Sequence, residues 1–395
     1  MRIVMFYHSL VSDWNHGNAH FLRGVASELI ARGHAVDIYE PHDSWSRTNL
    51  VQEHGEAPVA EFEQAYPMLK VRRYDSAIAD PTPLLEGADL VIVHEWNRHD
   101  LVGRIGRAKR EGGDFILLFH DTHHRCVTEP GAMAAYDLRD YDGVLAFGEV
   151  IRRIYLEKGW SRRAWTWHEA ADTRVFRPLR AGDGDRHGGG AGDSASSGYT
   201  GDLVWIGNWG DDERAQELQE FLLDPVRHLR LDALVHGVRY PPQAKARLAA
   251  AGIVYGGWLP NFRAPEVFAR HRVTVHVPRR PYVAALPGIP TIRVFEALAC
   301  GIPLVSAPWE DVERLFSPGE DFLVAGDGTQ MRERLRDLLH DPSLAAAVAR
   351  RGRETILDRH TCRHRVDELI GICHELAAEE SREGLPAAPI LAQQP

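Results

Sequence analysis

The sequence predicts an α/β protein of two doubly wound domains that face each other across a central cleft. Three observations carry this prediction. Short apolar runs alternate with helical patterns over residues 1–180, the strand–helix–strand repetition of such a domain. The alternation stops at 181–200, AGDGDRHGGGAGDSASSGYT, whose Gly, Ser, Ala and Asp content supports no packed element and reads as a flexible linker. It then restarts and runs to about residue 380, so a chain of 395 residues divides into the two domains that its length suggests.

The strand candidates of the first domain are 2–8, 35–40, 88–94, 114–120, 143–148 and 163–169. Runs such as ADLVIVH and DFILLFH are apolar without alternation, as in strands buried on both faces of a parallel sheet. AHFLRGVASELIARG at 19–33 is a helix with Gly33 at its C-cap. After the linker the candidates are 202–207, 229–237, 253–259, 273–278, 302–307 and 321–325. Residues 328–380 read as helical, and the tail 381–395 as unstructured. Both domains are Rossmann-like in pattern. Open α/β sheets bind ligands beyond the carboxyl ends of their strands, so the cleft is the place to expect a site.

Composition narrows the function. Hydrophobic residues at 44% and charged residues at 26% exclude disorder as a description of the whole chain. No apolar run reaches the ~20 residues of a spanning helix. The N-terminal MRIVMFYHSLVSDW reads as a strand rather than a secretory signal. A net charge of −10 disfavours a broad nucleic-acid surface but allows a local basic pocket for a small anion, and peripheral membrane contact stays open. Cys126, Cys300, Cys362 and Cys373 form no CxxC pair, which argues against structural zinc or a disulfide framework and fits a reducing cytoplasm. There is no GxGxxG after the first strand, no GxxxxGK[ST] and no GxSxG, which weighs against nicotinamide dehydrogenases, P-loop NTPases and α/β-hydrolases.

Two segments then carry a resemblance. HEAADTRVFRP at 168–178 looks like the N-G-V-D-x-x-x-F-x-P stretch that ends the first domain of family-4-type GT-B glycosyltransferases. PGIPTIRVFEALACGIPLVSAP at 287–308 resembles the E-x-F-G-x-x-x-x-E-A-x-A-x-G-x-P-V signature of that family, in a version closest to its CgeB-like branch. The resemblance implies an acceptor domain at 1–180, the linker at 181–200, and a nucleotide-sugar donor domain at 201–380. It implies transfer of a sugar, of hexosyl type, from a nucleoside diphosphate donor to a glycan, lipid or small-molecule acceptor, with retention of configuration and no metal or other cofactor. The departure that bears on the donor is at the first Glu of the signature, which is Gly288 here.

The residues themselves support a diphosphate site. A helix opening at Thr291, after the Pro–Gly turn 287–290, offers free backbone N–H groups and a positive dipole end. Arg293 in its first turn adds a charge-assisted contact. Glu296, one turn on in an apolar context, takes the ribose hydroxyls by resemblance. DLVWIGNWGDDERAQEL at 202–218 resembles the strand–loop–helix that opens the donor domain, with Gly207 at a close backbone approach, Asn208 in place of the usual Arg, and Arg214 where the phosphate-binding Lys stands. By the same resemblance, Trp258 and Leu259 fall where the family places a base-binding loop, and Gly17 and Asn18, in the loop after the first strand, where related enzymes bring backbone near the donor phosphates and acceptor. His16 and His20 read as surface or cap residues. His120 aligns with the family's active-site His and, ending the run DFILLFH, is expected at the cleft, with Asp121 beside it as orienting group or alternative base. A metal reading of His94, His123, His124 and Cys126 is weaker, because H-x-x-H-H matches no standard zinc set. Two competing functions share the fold: a nucleotide-sugar epimerase, disfavoured by Gly288, and a GT-B binding protein of spore-coat type without catalysis.

Overall fold

The structure is a computed structural model that describes residues 1–78, 80–179, 198–210 and 213–383. The expected linker lies outside the described residues apart from 198–200. So does the expected tail apart from 381–383, which continue the last helix.

The first sheet has seven strands: β1 (Arg2–Phe6), β2 (Ala35–Pro41), β3 (Val71–Tyr74), β4 (Leu90–His94), β5 (Ile116–Asp121), β6 (Gly143–Ala146) and β7 (Ala164–Thr166). Their order is β3-β2-β1-β4-β5-β6-β7, with every pairing parallel. The second sheet has six: β8 (Gly201–Ile206), β9 (Ala233–His236), β10 (Ile253–Gly257), β11 (His271–His276), β12 (Leu304–Ser306) and β13 (Leu323–Val324), in the order β10-β9-β8-β11-β12-β13, again all parallel. The twelve strand runs read from sequence all form strands. The thirteenth, β3, is an edge strand of sequence VRRY with two exposed arginines, so it has no apolar run to announce it.

The central strands are apolar because helices cover both faces; β4, LVIVH, is buried at every position. Each sheet reverses its winding at one place, between β1 and β4 in the first and between β8 and β11 in the second. The loops that leave the carboxyl ends of these strands face one another. A continuous apolar cluster spans both domains, with Ile3, Met5 and Phe21 from the first and Val204, Phe295 and Leu298 from the second.

By its order in the chain, the helix Cys362–Glu383 was expected in the second domain. It crosses back instead and packs on the helix Ala19–Ala31 of the first. Trp167 Nε1 donates to Arg365 O at 2.8 Å, and Cys362 N donates to Ala171 O at 3.0 Å. The physical reason is burial: Val366 and Leu369 join the first domain's core rather than facing water.

Candidate active site

The facing loops enclose a cavity of about 330 Å³. Its two walls differ in chemistry. The second-domain wall carries Arg214, Arg239, Arg279 and Arg293, and the N-terminal turn of the helix Ile292–Cys300 opens onto it through Thr291, Ile292 and Arg293. The N–H groups of that turn have no partner within the helix. The first-domain wall carries His8, His16, Trp45, Trp96, His123 and Glu169, with no Lys or Arg.

Of the expected donor residues, Gly17, Asn18, Gly207, Asn208, Arg214, Trp258, Leu259, Thr291 and Arg293 line the cavity. Asn18 Nδ2 donates to Thr122 O at 3.1 Å, tying the β1 loop to the β5 loop. Asn208 bridges the domains: its amide N donates to Asn15 Oδ1, and its Oδ1 accepts from Val238 N at 2.9 Å. Trp258 Nε1 donates to Asp13 Oδ1 at 3.0 Å, so this loop too is bound to the first domain. Gly237 permits the β8 and β9 loops to meet, since a Cβ there would stand 2.1 Å from Gly207 O.

Arg214 is held more tightly than a free phosphate ligand. It is nearly buried over the Trp205 ring, and its guanidinium donates to Val277 O at 3.1 Å and to Asn208 O. Burial, with Arg279 nearby, pulls its pKa down to about 9. Arg279, which the sequence reading missed, is the more accessible cation; it pairs with Glu213 at 3.1 Å. Its signal was present in VPRRPY, directly after the β11 run.

Glu296 is not on the cavity wall. It is 0% exposed and accepts from His20 Nδ1 at 2.9 Å, from Asn261 Nδ2 at 2.8 Å and from Arg293. Burial works to raise its pKa, but Arg293 and the His20 and Asn261 bonds outweigh it and hold the carboxyl below its usual range. In this structure the ribose role read for Glu296 is therefore replaced by a hold on Arg293. His20 is correspondingly not a surface residue. It is fully buried, stacked on Phe176 at 3.8 Å, and its Nε2 accepts from Asp172 N at 2.8 Å. Since Nε2 accepts, Nδ1 carries the proton that Glu296 receives. His16 is likewise on the cavity wall rather than on the surface.

His120 does not reach the cleft. Strand β5 continues pairing past it: His120 pairs with His94 and Leu145, and Asp121 with Ala146. Side chains alternate along a strand, so His120 points into the helix layer of one face and Asp121 into the other. The His120 ring is 0% exposed, 4.9 Å from Trp167 and 6.0 Å from Phe21, and neither ring nitrogen has a partner among the described residues. Burial pulls its pKa down to about 3. Asp121 accepts from Tyr155 OH at 2.9 Å and from His123 N at 3.0 Å. Burial pushes Asp121 up to about 6, and burial together with the neighbouring Asp121 pushes Glu95 well above the carboxylate range. The residue that does reach the wall is His123, two positions beyond the strand.

Glu169 is another wall residue that the sequence reading passed over, as are His8, Trp45, Trp96 and Arg239. It lies in the 168–178 motif, is 3% exposed, and its Oε1 has no partner among the described residues. Burial, then repulsion from Glu296, raises its pKa well above normal. At the departure Gly288, φ is +93°, and a Cβ would meet Glu313 Oε1 and Val312 Cγ2, each at 2.9 Å. Glu313 approaches from another loop and joins the domains, accepting from Glu149 N at 2.9 Å and facing His168 Nε2 at 3.0 Å. Among the described residues, no group of three or more His, Cys, Asp or Glu side chains is placed to hold a metal ion, and no helix is long and apolar enough to cross a membrane.

Comparison with known proteins agrees with this architecture. Two Rossmann-like parallel domains across a cleft define the GT-B fold, and the chain has it. The profile of a family described as glycosyl transferase-like matches residues 214–371, the second-domain stretch that includes Arg214, Arg279, Arg293 and Glu296. No curated protein sequence matches the chain. Among solved structures, sucrose-phosphate synthase from Thermosynechococcus elongatus is similar with a TM-score of 0.62 at 15% identity, over 96% of this chain and 100% of that one. Anabaena Alr3699/HepE in complex with UDP and glucose gives 0.63 at 13% identity, over 97% and 100%. An alpha-glucosyltransferase in complex with UDP and DNA gives 0.66 at 13% identity, over 95% and 99%.

Proposed function

We propose that the protein is a glycosyltransferase that moves a sugar, of hexosyl type, from a nucleoside diphosphate donor to an acceptor hydroxyl. The observation that carries this reading is the asymmetric cavity: four arginines stand beside a helix N-terminus on the second-domain wall, whereas the first-domain wall has no Lys or Arg. A diphosphate needs that concentration of donors and positive charge; a neutral metabolite does not. UDP in the Anabaena and alpha-glucosyltransferase complexes supports a nucleotide of this kind. The base then lies against the loop of Trp258 and Leu259, and the diphosphate against Thr291 to Arg293 and Arg279. Glu296 and His20 act through Arg293, fixing its direction.

Charge neutralisation by arginine and helix dipole makes the reaction independent of metal in this reading. The acceptor oxygen bonds to the anomeric carbon, the bond from that carbon to the β-phosphate oxygen breaks with its electron pair, and the acceptor proton passes to that phosphate oxygen. Retention of configuration follows from the likeness of 287–308 to the family-4 signature, as does placement in the CgeB-like branch. The cysteine pattern supports a cytoplasmic setting.

The test is to incubate the protein with UDP-, GDP- and dTDP-sugars, with and without divalent cations and chelator, and to follow release of nucleoside diphosphate. Release with one donor, unchanged by chelator, is expected. No binding of any nucleoside diphosphate in calorimetry would overturn the reading. The anomeric configuration of the product, read by NMR, decides retention.

A further inference from the structure

Resting on the glycosyltransferase reading and on the acceptor domain that it implies at 1–180, we infer that the acceptor taken by the first-domain wall of the cavity is an uncharged sugar ring. The wall is built from aromatic faces and imidazoles. Trp45, at the start of a helix after β2, is 39% exposed and stacks parallel to His8 at 6.0 Å. Trp96, in the loop after β4, stands 6.1 Å from His8 and 5.4 Å from His123. His16 packs edge-on against His8 at 4.4 Å. These rings come from four loops, those after β1, β2, β4 and β5, yet all line one side of the cavity.

The imidazoles are unspent. Both ring nitrogens of His8, Nε2 of His16 and Nδ1 of His123 have no hydrogen-bond partner among the described residues, although His8 and His16 are more than nine-tenths buried. Leaving such groups unpaired is costly unless a ligand completes them. They are also uncharged at neutral pH, because burial draws His8 down to about 3 and His16 and His123 well below the ordinary histidine value.

A neutral imidazole offers one donor and one acceptor, which is the complement of a hydroxyl group. A phosphate or carboxylate offers acceptors alone and calls for cations. The carboxyl groups on this wall are Asp13 and Glu169, of which burial drives Glu169 toward its neutral form. Asp13 is tied to Arg23, Trp258 and Asn261. The cations behind the wall are already paired: Arg23 with Asp13 at 2.9 Å, and Arg125, 4.7 Å under the Trp96 ring, with Glu129 and Glu95. An anionic acceptor would therefore find no unpaired cation on this wall, and Arg279 on the opposite wall is paired with Glu213. A pyranose ring matches what is there: its C–H face lies on indole, and its hydroxyl rim meets the imidazoles.

The experiment uses the full chain. UDP is titrated by calorimetry first. With UDP saturating, methyl glycosides of glucose, galactose and mannose are then titrated beside glucose 6-phosphate and methyl glucuronide. At least one neutral glycoside is expected to bind, and each anionic sugar to bind at least about tenfold more weakly than its neutral parent. Trp45→Ala and Trp96→Ala are expected to weaken glycoside binding about tenfold while leaving UDP affinity within about twofold, with Trp45→Phe restoring most of the loss. Equal or tighter binding of the anionic sugars, or glycoside binding untouched by both Ala variants, overturns the inference. Absence of any glycoside binding beside normal UDP binding also overturns it while leaving the donor reading intact. Glycoside binding without UDP binding removes the donor reading instead and leaves a sugar site standing.

Discussion

His120→Leu separates the position read from sequence from the position found in the fold. The structure buries this imidazole between Trp167, Phe21 and His94 with both nitrogens unpartnered. An apolar side chain of similar size removes an unsatisfied polar group, so the variant should fold with stability equal to or above wild type at pH 7.5. The pH dependence gives a number. The folded-state pKa is depressed to about 3, against 6.5 for an ordinary histidine. Above pH 6.5 the ring is neutral in both states and its titration costs nothing. As pH falls below 6.5, the unfolded chain takes up a proton that the folded chain cannot, and stability is lost progressively towards the folded value. At pH 5.5 the loss from this one group is about 1.4 kcal/mol, since the unfolded ring is roughly ten-elevenths protonated. His120→Leu abolishes that loss, so its advantage over wild type should grow by about 1.4 kcal/mol between pH 7.5 and 5.5. Urea denaturation at the two pH values measures it. Donor turnover should stay within about twofold of wild type. A folded His120→Leu protein whose turnover falls a hundredfold would refute the burial argument and restore His120 to the chemistry.

Three further outcomes follow from the same geometry. Arg293→Met removes a guanidinium from the diphosphate wall and leaves Glu296 without its cation; UDP affinity should fall about 10- to 100-fold, measured by calorimetry, and unchanged affinity would take Arg293 out of the donor site. Gly288→Glu, which restores the family's first Glu, should destabilise by about 1–3 kcal/mol in thermal melts because of the positive φ and the contact with Glu313, and a wild-type melting temperature would contradict the crowding seen there. Asp121→Asn removes a group whose pKa is raised to about 6, whose contribution is full below about pH 4 and is lost as pH rises to 6; the variant should gain on wild type across that window, and a gain independent of pH would show that Asp121 does not titrate there.

The sequence by itself determined the layers and their number. Buried parallel strands must be apolar along their whole length, so twelve of the thirteen strands announced themselves, and β3 escaped because an edge strand can be VRRY. It also marked the helix start that opens onto the cavity, since a Pro–Gly turn, Thr291 and Arg293 are local features of one helix start. What the tertiary structure alone decided is which side chains reach the cavity. His120 and His123 differ by three positions, and only the length over which β5 keeps pairing sends the first into the core and the second to the wall. The partnership of His20 with Glu296 spans 276 positions, and nothing near either residue specifies the other. The His8, His16, Trp45 and Trp96 wall is gathered from loops of separate strands by the winding order β2-β1-β4. Periodicity reports the environment along one element, whereas a site is made where several elements end. That juxtaposition is set by sheet order and domain packing, which the spacing of residues along the chain does not encode.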